Sequence, residues 1–224
     1  MNSPGIGVLA SGDGSNLQSL LDACSAGTLD AHVSVVVSHN ARARALDRAR
    51  AAGVTDYAVL PPRRRDDEDR RRMEKQVLDL LARHEPDLLV LAGWMFVLSQ
   101  RFLTRCRVPL LNVHPALLPL RGGDLAMPDP CIEGLPSMDR PMPVLRGAHA
   151  VRDAITQRLP YTGVSVHHVA AEVDAGAVIS REVVTIEETD DEESLYRRIK
   201  RVEHRLLVDA VRSVLSAVPG GAYA

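Results

Sequence analysis

The chain has 224 residues, 46% hydrophobic and 25% charged, with a net charge of −2. That composition suits a soluble globular protein with a substantial core, and it leaves no global positive field for nucleic acid or an anionic membrane. No apolar run reaches the roughly 18 residues of a membrane span, and MNSPGIGVLASGDG lacks the basic and apolar regions of a signal peptide, so a cytoplasmic protein is expected. Cys24, Cys106 and Cys131 are far apart and show no metal spacing, so they read as thiols in a reducing compartment.

Short apolar runs alternate with amphipathic helical patterns, the signature of βαβ units. Ile6–Ala10 reads as a strand, followed by a helix with Leu17, Leu20, Leu21 and Cys24 on one face. Val33–Ser38 reads as a strand, Ala41–Ala52 as a helix ended by Gly53, and Tyr57–Leu60 as a short strand stopped by Pro61-Pro62. The charged run from Arg63 to Arg72 reads as a solvated loop and helix start. The helix that follows carries Met73, Val77, Leu80 and Leu81, and Pro86-Asp87 breaks it. Leu88–Ala92 is a strand, Ser99–Arg105 a short helix, and Pro109–Val113 the next strand. Residues 120–146 are rich in Pro, Gly and Met without a sustained period, and are expected to be an irregular insertion. Gly147–Gln157 reads as a helix, and Gly163–Val169 and Ala177–Val184 as strands. A last helix runs from about Glu192 to Val218, with Leu195, Ile199, Val202, Leu206, Ala210 and Val214 in register. The expected fold is α/β: a doubly wound, mostly parallel sheet with helices on both faces, its ligands at the carboxyl ends of the strands.

Three stretches carry chemistry. SGDGSNLQ (residues 11–18) joins the first strand to the first helix. Its glycines allow close backbone approach, Ser15 and Asn16 are good N-caps, and the helix N-terminus suits a phosphate. Leu17 stands where a dinucleotide fingerprint needs its third glycine, and no Gly-Lys-Ser/Thr is present, so a phosphate monoester or a plain capped turn fits. In LLNVHPALLP (residues 110–119), Asn112 and His114 are two apart, which puts them on one face of a strand at its carboxyl end. The imidazole can transfer a proton and the amide can stabilise an oxyanion, although a lone histidine can equally be a structural hydrogen-bonder. Asp174, in EVDAGAVIS, is either a turn residue or a carboxylate that orients His114 and favours its charged form. His32, His39, His84 and His168 read as surface or packing residues. His149 and His167 lie in motif-like contexts, and no spacing points to a metal.

Together with AGWMFVLS (residues 92–99), TGVSVHHVAAEVDAGAVI (residues 162–179) and RVEH (residues 201–204), these stretches make the chain similar to the folate-dependent glycinamide ribonucleotide formyltransferase family, in which matching motifs occur in the same order. The resemblance runs from about residue 6 to 215. It implies a single formyltransferase domain over 1–224, with a phosphate-binding half of about 1–105, a catalytic and folate-binding half of about 106–218, and the insertion at about 120–146. It further implies that Asn112, His114 and Asp174 are catalytic and that Gly14, Ser15, Asn16 and Glu203 bind the ribonucleotide. Met95, Phe96, Val97, Leu98, Ala170, Ala171, Glu172, Val173 and Asp174 would line the folate pocket, with Arg70 and Asn112 also contacting the folate. The implied co-substrate is 10-formyltetrahydrofolate, without a metal; the implied partners are these two small molecules, with no nucleic acid or membrane, in a monomer or homodimer.

Two departures stand out. Phe96 replaces an arginine found in many members, and residues 120–146 are longer than the pattern, which leads to the expectation of an access flap. The rival readings are a formyltetrahydrofolate deformylase, expected to carry an additional N-terminal domain, a methionyl-tRNA formyltransferase, expected to add an RNA-binding domain, and a non-catalytic α/β ligand-binding module.

Overall fold

The computed structural model describes residues 3–59, 67–120, 123–126, 135 and 137–217. Predicted positions at Leu60, in the 61–66 run, at Cys131 and at Val218 lie outside the described residues. The strands are β1 (Gly5–Leu9), β2 (His32–Ser38), β3 (Asp56–Ala58), β4 (Leu88–Leu91), β5 (Leu110–His114), β6 (Tyr161–His168) and β7 (Val178–Thr185). The helices are α1 (Ser15–Ser25), α2 (Arg44–Ala51), α3 (Asp67–His84), α4 (Gln100–Arg105), α5 (Ala150–Thr156) and α6 (Glu192–Ala217). One seven-stranded sheet runs in the order β3-β2-β1-β4-β5-β6-β7. The pairs β1–β2, β1–β4, β2–β3 and β4–β5 are parallel, and β6–β7 is antiparallel. The order turns back at β1 and β4, so the doubly wound α/β fold has its switch point between those two strands.

The chain divides into two compact units, Met1–Asn112 with Val211–Ala224, and Val113–Ala210. In the first, the four residues of β4 and all five of β1 are buried. Such wholly apolar runs are what a parallel sheet covered on both faces requires. Leu17, Leu20 and Leu21 of α1 and Met73, Val77, Leu80 and Leu81 of α3 are buried as their spacing predicts. In the second unit a core forms around Ala116, Leu117, Leu125, Met142, Leu145, Ala150, Ala154, Leu159 and Tyr161.

Several boundaries differ from the sequence reading for identifiable reasons. The second helix begins at Arg44 and not at Ala41, because Asn40 Oδ1 accepts from Arg42 N at 3.0 Å and closes a turn first. The helix expected from Gly147 begins at Ala150, since Gly147 sits at φ +79°, outside helical backbone. β5 runs one residue further than expected and includes His114. On α6, Leu195, Ile199, Leu206 and Ala210 are buried, but Leu207 and Val211 belong to the buried face where Val202 and Val214 were expected, and Glu203 lies on it too. The expected insertion is partly core: Leu125 and Met142 form an antiparallel bridge and are 3% and 0% exposed.

Candidate active site

In the first unit the loops that leave the switch-point strands are tied together. Ser11 N donates to the Gly93 carbonyl at 3.2 Å, and Met95 N donates to Ser11 Oγ at 3.4 Å. Asn40 Nδ2, just beyond β2, reaches the Ser11 carbonyl at 3.3 Å. The expectation that Ser15 or Asn16 caps α1 is corrected. The N-cap is Gly14, at φ 77°, and Ser15 is the first helical residue. A Cβ on Gly14 would lie 2.7 Å from Ala45 Cα, so the close passage of α2 and the positive φ both demand glycine there. With Gly14 as cap, the first amides of α1 open onto the loop, and Asn16 is 4% exposed. Asp13, whose charge would repel a phosphate, is turned onto Arg44 and Arg48, each at 2.9 Å.

The Met95–Leu98 stretch presents side chains alternately. Met95 and Val97 are 63% and 56% exposed, while Leu98 is buried. Phe96 makes an edge-on contact with His39, ring centroids 4.5 Å apart, and His39 also meets Trp94 at 4.9 Å. His39 is therefore the packing residue expected. Glu74 of α3 closes the stretch: its carboxylate accepts from Ser99 N at 2.7 Å and from Ser99 Oγ at 2.5 Å. Arg70 donates to Asp67 of its own helix at 2.7 Å. Asn112 of β5, two residues before His114, pairs in register with Leu91 of β4.

The second unit holds the clearest polar cluster. His114, 3% exposed, ends β5. Its Nδ1 lies 3.4 Å from Asp174 Oδ2, and its Nε2 donates to the Leu145 carbonyl at 2.7 Å. Gly147 N donates to the same Asp174 oxygen at 2.8 Å. Asp174 is both a turn residue and a partner of His114, for its backbone adopts φ +51° and its side chain is only 8% exposed. Burial pushes the Asp174 carboxyl up. The hydrogen bond from His167, the charge of His114 and the Gly147 amide outweigh it and bring the pKa down to about 2. Asp174 is thus an anion at any physiological pH.

The charge of His114 departs from expectation. Asp174 and the Leu145 carbonyl favour the imidazolium, as does the charge of Glu203, but burial is the larger effect and holds the pKa below 6.5. The resting ring is therefore mainly neutral near pH 7. Glu203 is 1% exposed and pairs with Lys200 at 2.6 Å. In the loop after β6, Ala170, Ala171, Glu172 and Val173 are exposed, and Glu172 is held by Arg146 at 2.7 Å. The turn after His114 is pinned as well: Ser165 Oγ donates to the Ala116 carbonyl and accepts from Leu118 N, both at 2.9 Å. Sequence reasoning gave His167 a motif-like context but no role in the site; its Nε2 lies 3.5 Å from Asp174 Oδ1. The available signal was strand alternation, which puts His167 two residues beyond buried Ser165.

A buried His–Asp pair at the carboxyl end of a strand is an arrangement able to carry a proton, and the chain that holds it belongs to the formyl transferase family, whose model matches residues 5–211. It is a formyltransferase. Among its relatives, it is 39% identical over 207 residues to the phosphoribosylglycinamide formyltransferase of Mycobacterium tuberculosis, covering 92% of this chain and 83% of that one. It is 31% identical over 218 residues to the enzyme of the same name from Schizosaccharomyces pombe, covering 93% and 96%. The fold matches the crystal structure of glycinamide ribonucleotide transformylase 1 from Symbiobacterium toebii with a TM-score of 0.79 at 32% identity, covering 98% of this chain and 92% of that one. No group of three or more His, Cys, Asp or Glu among the described residues is arranged to hold a metal ion, and no described helix is long and apolar enough to cross a membrane.

Proposed function

We propose that the protein transfers the formyl group of 10-formyltetrahydrofolate to the amine of glycinamide ribonucleotide, a step of purine biosynthesis. The observation that carries this reading is the buried His114–Asp174 pair, in a chain similar over nearly its whole length to enzymes named for that reaction. The amine attacks the formyl carbon to form a carbon–nitrogen bond and a tetrahedral oxyanion. The Asn112 amide stabilises the oxyanion, since a donor aimed at developing charge outweighs most other single contributions. With Nδ1 donating to ionised Asp174, His114 releases the Leu145 carbonyl and takes on Nε2 the proton the amine loses, becoming an imidazolium paired with Asp174. It then delivers that proton to the folate nitrogen as the bond from that nitrogen to the formyl carbon breaks. The lowered pKa of His114 fits this order of events, because the ring must begin as a base.

Gly14, Ser15 and Asn16 hold the ribonucleotide phosphate through the α1 amides, and Glu203 binds the same substrate. Met95 to Leu98, Arg70, Asn112 and Ala170 to Asp174 hold the folate, with Phe96 packed on His39 where an arginine contact would otherwise be made. The test is a spectrophotometric assay with the formyl donor, with and without glycinamide ribonucleotide. Folate release that requires the ribonucleotide supports the transferase. Release without it would make the protein a deformylase. Ribonucleotide binding with no folate chemistry would leave a ligand-binding module.

A further inference from the structure

Three rings meet in the loops that leave β2 and β4. His39 follows β2 directly, and Ser38 sets the turn that presents it: Ser38 Oγ donates to the Asn40 carbonyl and accepts from Asn40 N, both at 3.0 Å. Trp94 and Phe96 lie on the covered side of a stretch whose Met95 and Val97 are exposed. The His39 ring meets each edge-on, at interplanar angles of 77° and 80°, and the Trp94 and Phe96 rings are 6.3 Å apart. Trp94 Nε1 and His39 Nε2 are buried, with no hydrogen-bond partner among the described residues. Ring packing therefore fixes the arrangement of the cluster. Burial lowers the His39 pKa, which keeps the ring mainly neutral near pH 7 and suited to such packing.

We propose that His39 is a positioning residue for the formyl donor, acting through Trp94 and Phe96 to fix the stretch from Met95 to Leu98. The role rests on the reading of that stretch as the donor's seat. A guanidinium at position 96 could be placed by hydrogen bonds and by its charge. A phenyl ring is placed only by what it packs against, and here that is His39 and Trp94. Contacts on residues 94 and 96 set the direction in which Met95 and Val97 project. A second tie runs through hydrogen bonds: Asn40 Nδ2 reaches the Ser11 carbonyl, and Ser11 binds Gly93 and Met95. That tie does not use the His39 ring. Loss of the ring therefore leaves the stretch in its place in the fold and loosens only its fine adjustment. A loosened seat must be ordered when the donor binds, and the ordering weakens binding. The ribonucleotide, held at the start of α1, is not ordered through this cluster.

Trp94 is the single tryptophan of the chain, so its fluorescence reports on this cluster alone. The experiment compares the full-length wild type with His39→Leu and His39→Phe. It measures Trp94 emission, calorimetric binding of the stable dideaza analogue of the formyl donor, and steady-state kinetics for both substrates. Leucine fills a similar volume without a ring, and phenylalanine restores a ring. Two edge-on pairs correspond to about tenfold in affinity. His39→Leu should change the emission, weaken analogue binding and raise the KM for the formyl donor about tenfold. Its kcat and its KM for the ribonucleotide should change less than about twofold. His39→Phe should recover most of the loss. Unchanged donor binding in His39→Leu, an equal loss for both substrates, or no recovery in His39→Phe would overturn the proposal. If His39→Leu does not fold, His39→Asn, equally without a ring, carries the same expectation. A wild type that binds no formyl donor would overturn the functional reading together with this role, even if the emission still differs between variants. Formyl transfer with undiminished donor binding in His39→Leu would sink the role of His39 alone.

Discussion

Asp174 couples the chemistry of the site to the stability of the unit that holds it. Its carboxyl has a pKa of about 2 in the folded chain against 3.8 ordinarily. A depressed carboxylate contributes stability that is fully present above its unfolded pKa and lost as pH falls through the folded one. The difference amounts to roughly 2 kcal/mol, lost between about pH 4 and pH 2. His114 acts in the same direction at higher pH. Its folded pKa is below 6.5, so the unfolded chain binds the extra proton more readily and acid destabilises the fold from about pH 6.5 downward. Asp174→Asn should therefore flatten the acid limb of a stability-against-pH curve below pH 4 and deepen the limb below pH 6.5, because His114 loses the charge that favours its imidazolium. Urea midpoints at a series of pH values would check this, and an unchanged curve below pH 4 would remove Asp174 from the account.

Among the elements, the junction of β1 and α1 and the bridge within the insertion make separate demands. Gly14→Ala places a Cβ against the Ala45 backbone at a positive φ. That combination should cost about 1–3 kcal/mol of stability and raise the KM for the ribonucleotide more than that for the formyl donor. Thermal melts and a comparison of the two Michaelis constants would show it. Met142, fully buried against the core of its unit, makes the insertion more than a flap. Met142→Ala should cost about 2–5 kcal/mol by leaving a cavity, whereas a residue of a free-standing flap would cost almost nothing. Denaturant midpoints distinguish the two. The strands and long helices were legible because their apolar periods are strong: β1, β4 and α3 lie within a residue or two of where periodicity put them. What periodicity missed depends on distant partners. The α1 cap fell to Gly14 because of Ala45, a residue of another helix. The bridge between Leu125 and Met142 joins two stretches with no local pattern, and nothing near His167 in the chain announces that Asp174 will fold back onto it.

For the whole molecule, family membership and the His114–Asp174 geometry converge on formyl transfer, and the acceptor we propose is the amine of glycinamide ribonucleotide. Asn112 and His114 were readable as a pair because strand alternation alone puts them on one face. The charge of His114 was not, since it depends on how deeply the ring is buried. The most direct measurement incubates the protein with a carbon-13-labelled formyl donor and glycinamide ribonucleotide, then follows both by mass spectrometry. The account predicts labelled formylglycinamide ribonucleotide, formed in step with folate release and abolished by Asp174→Asn. Label recovered as free formate, with the ribonucleotide unchanged, would contradict it.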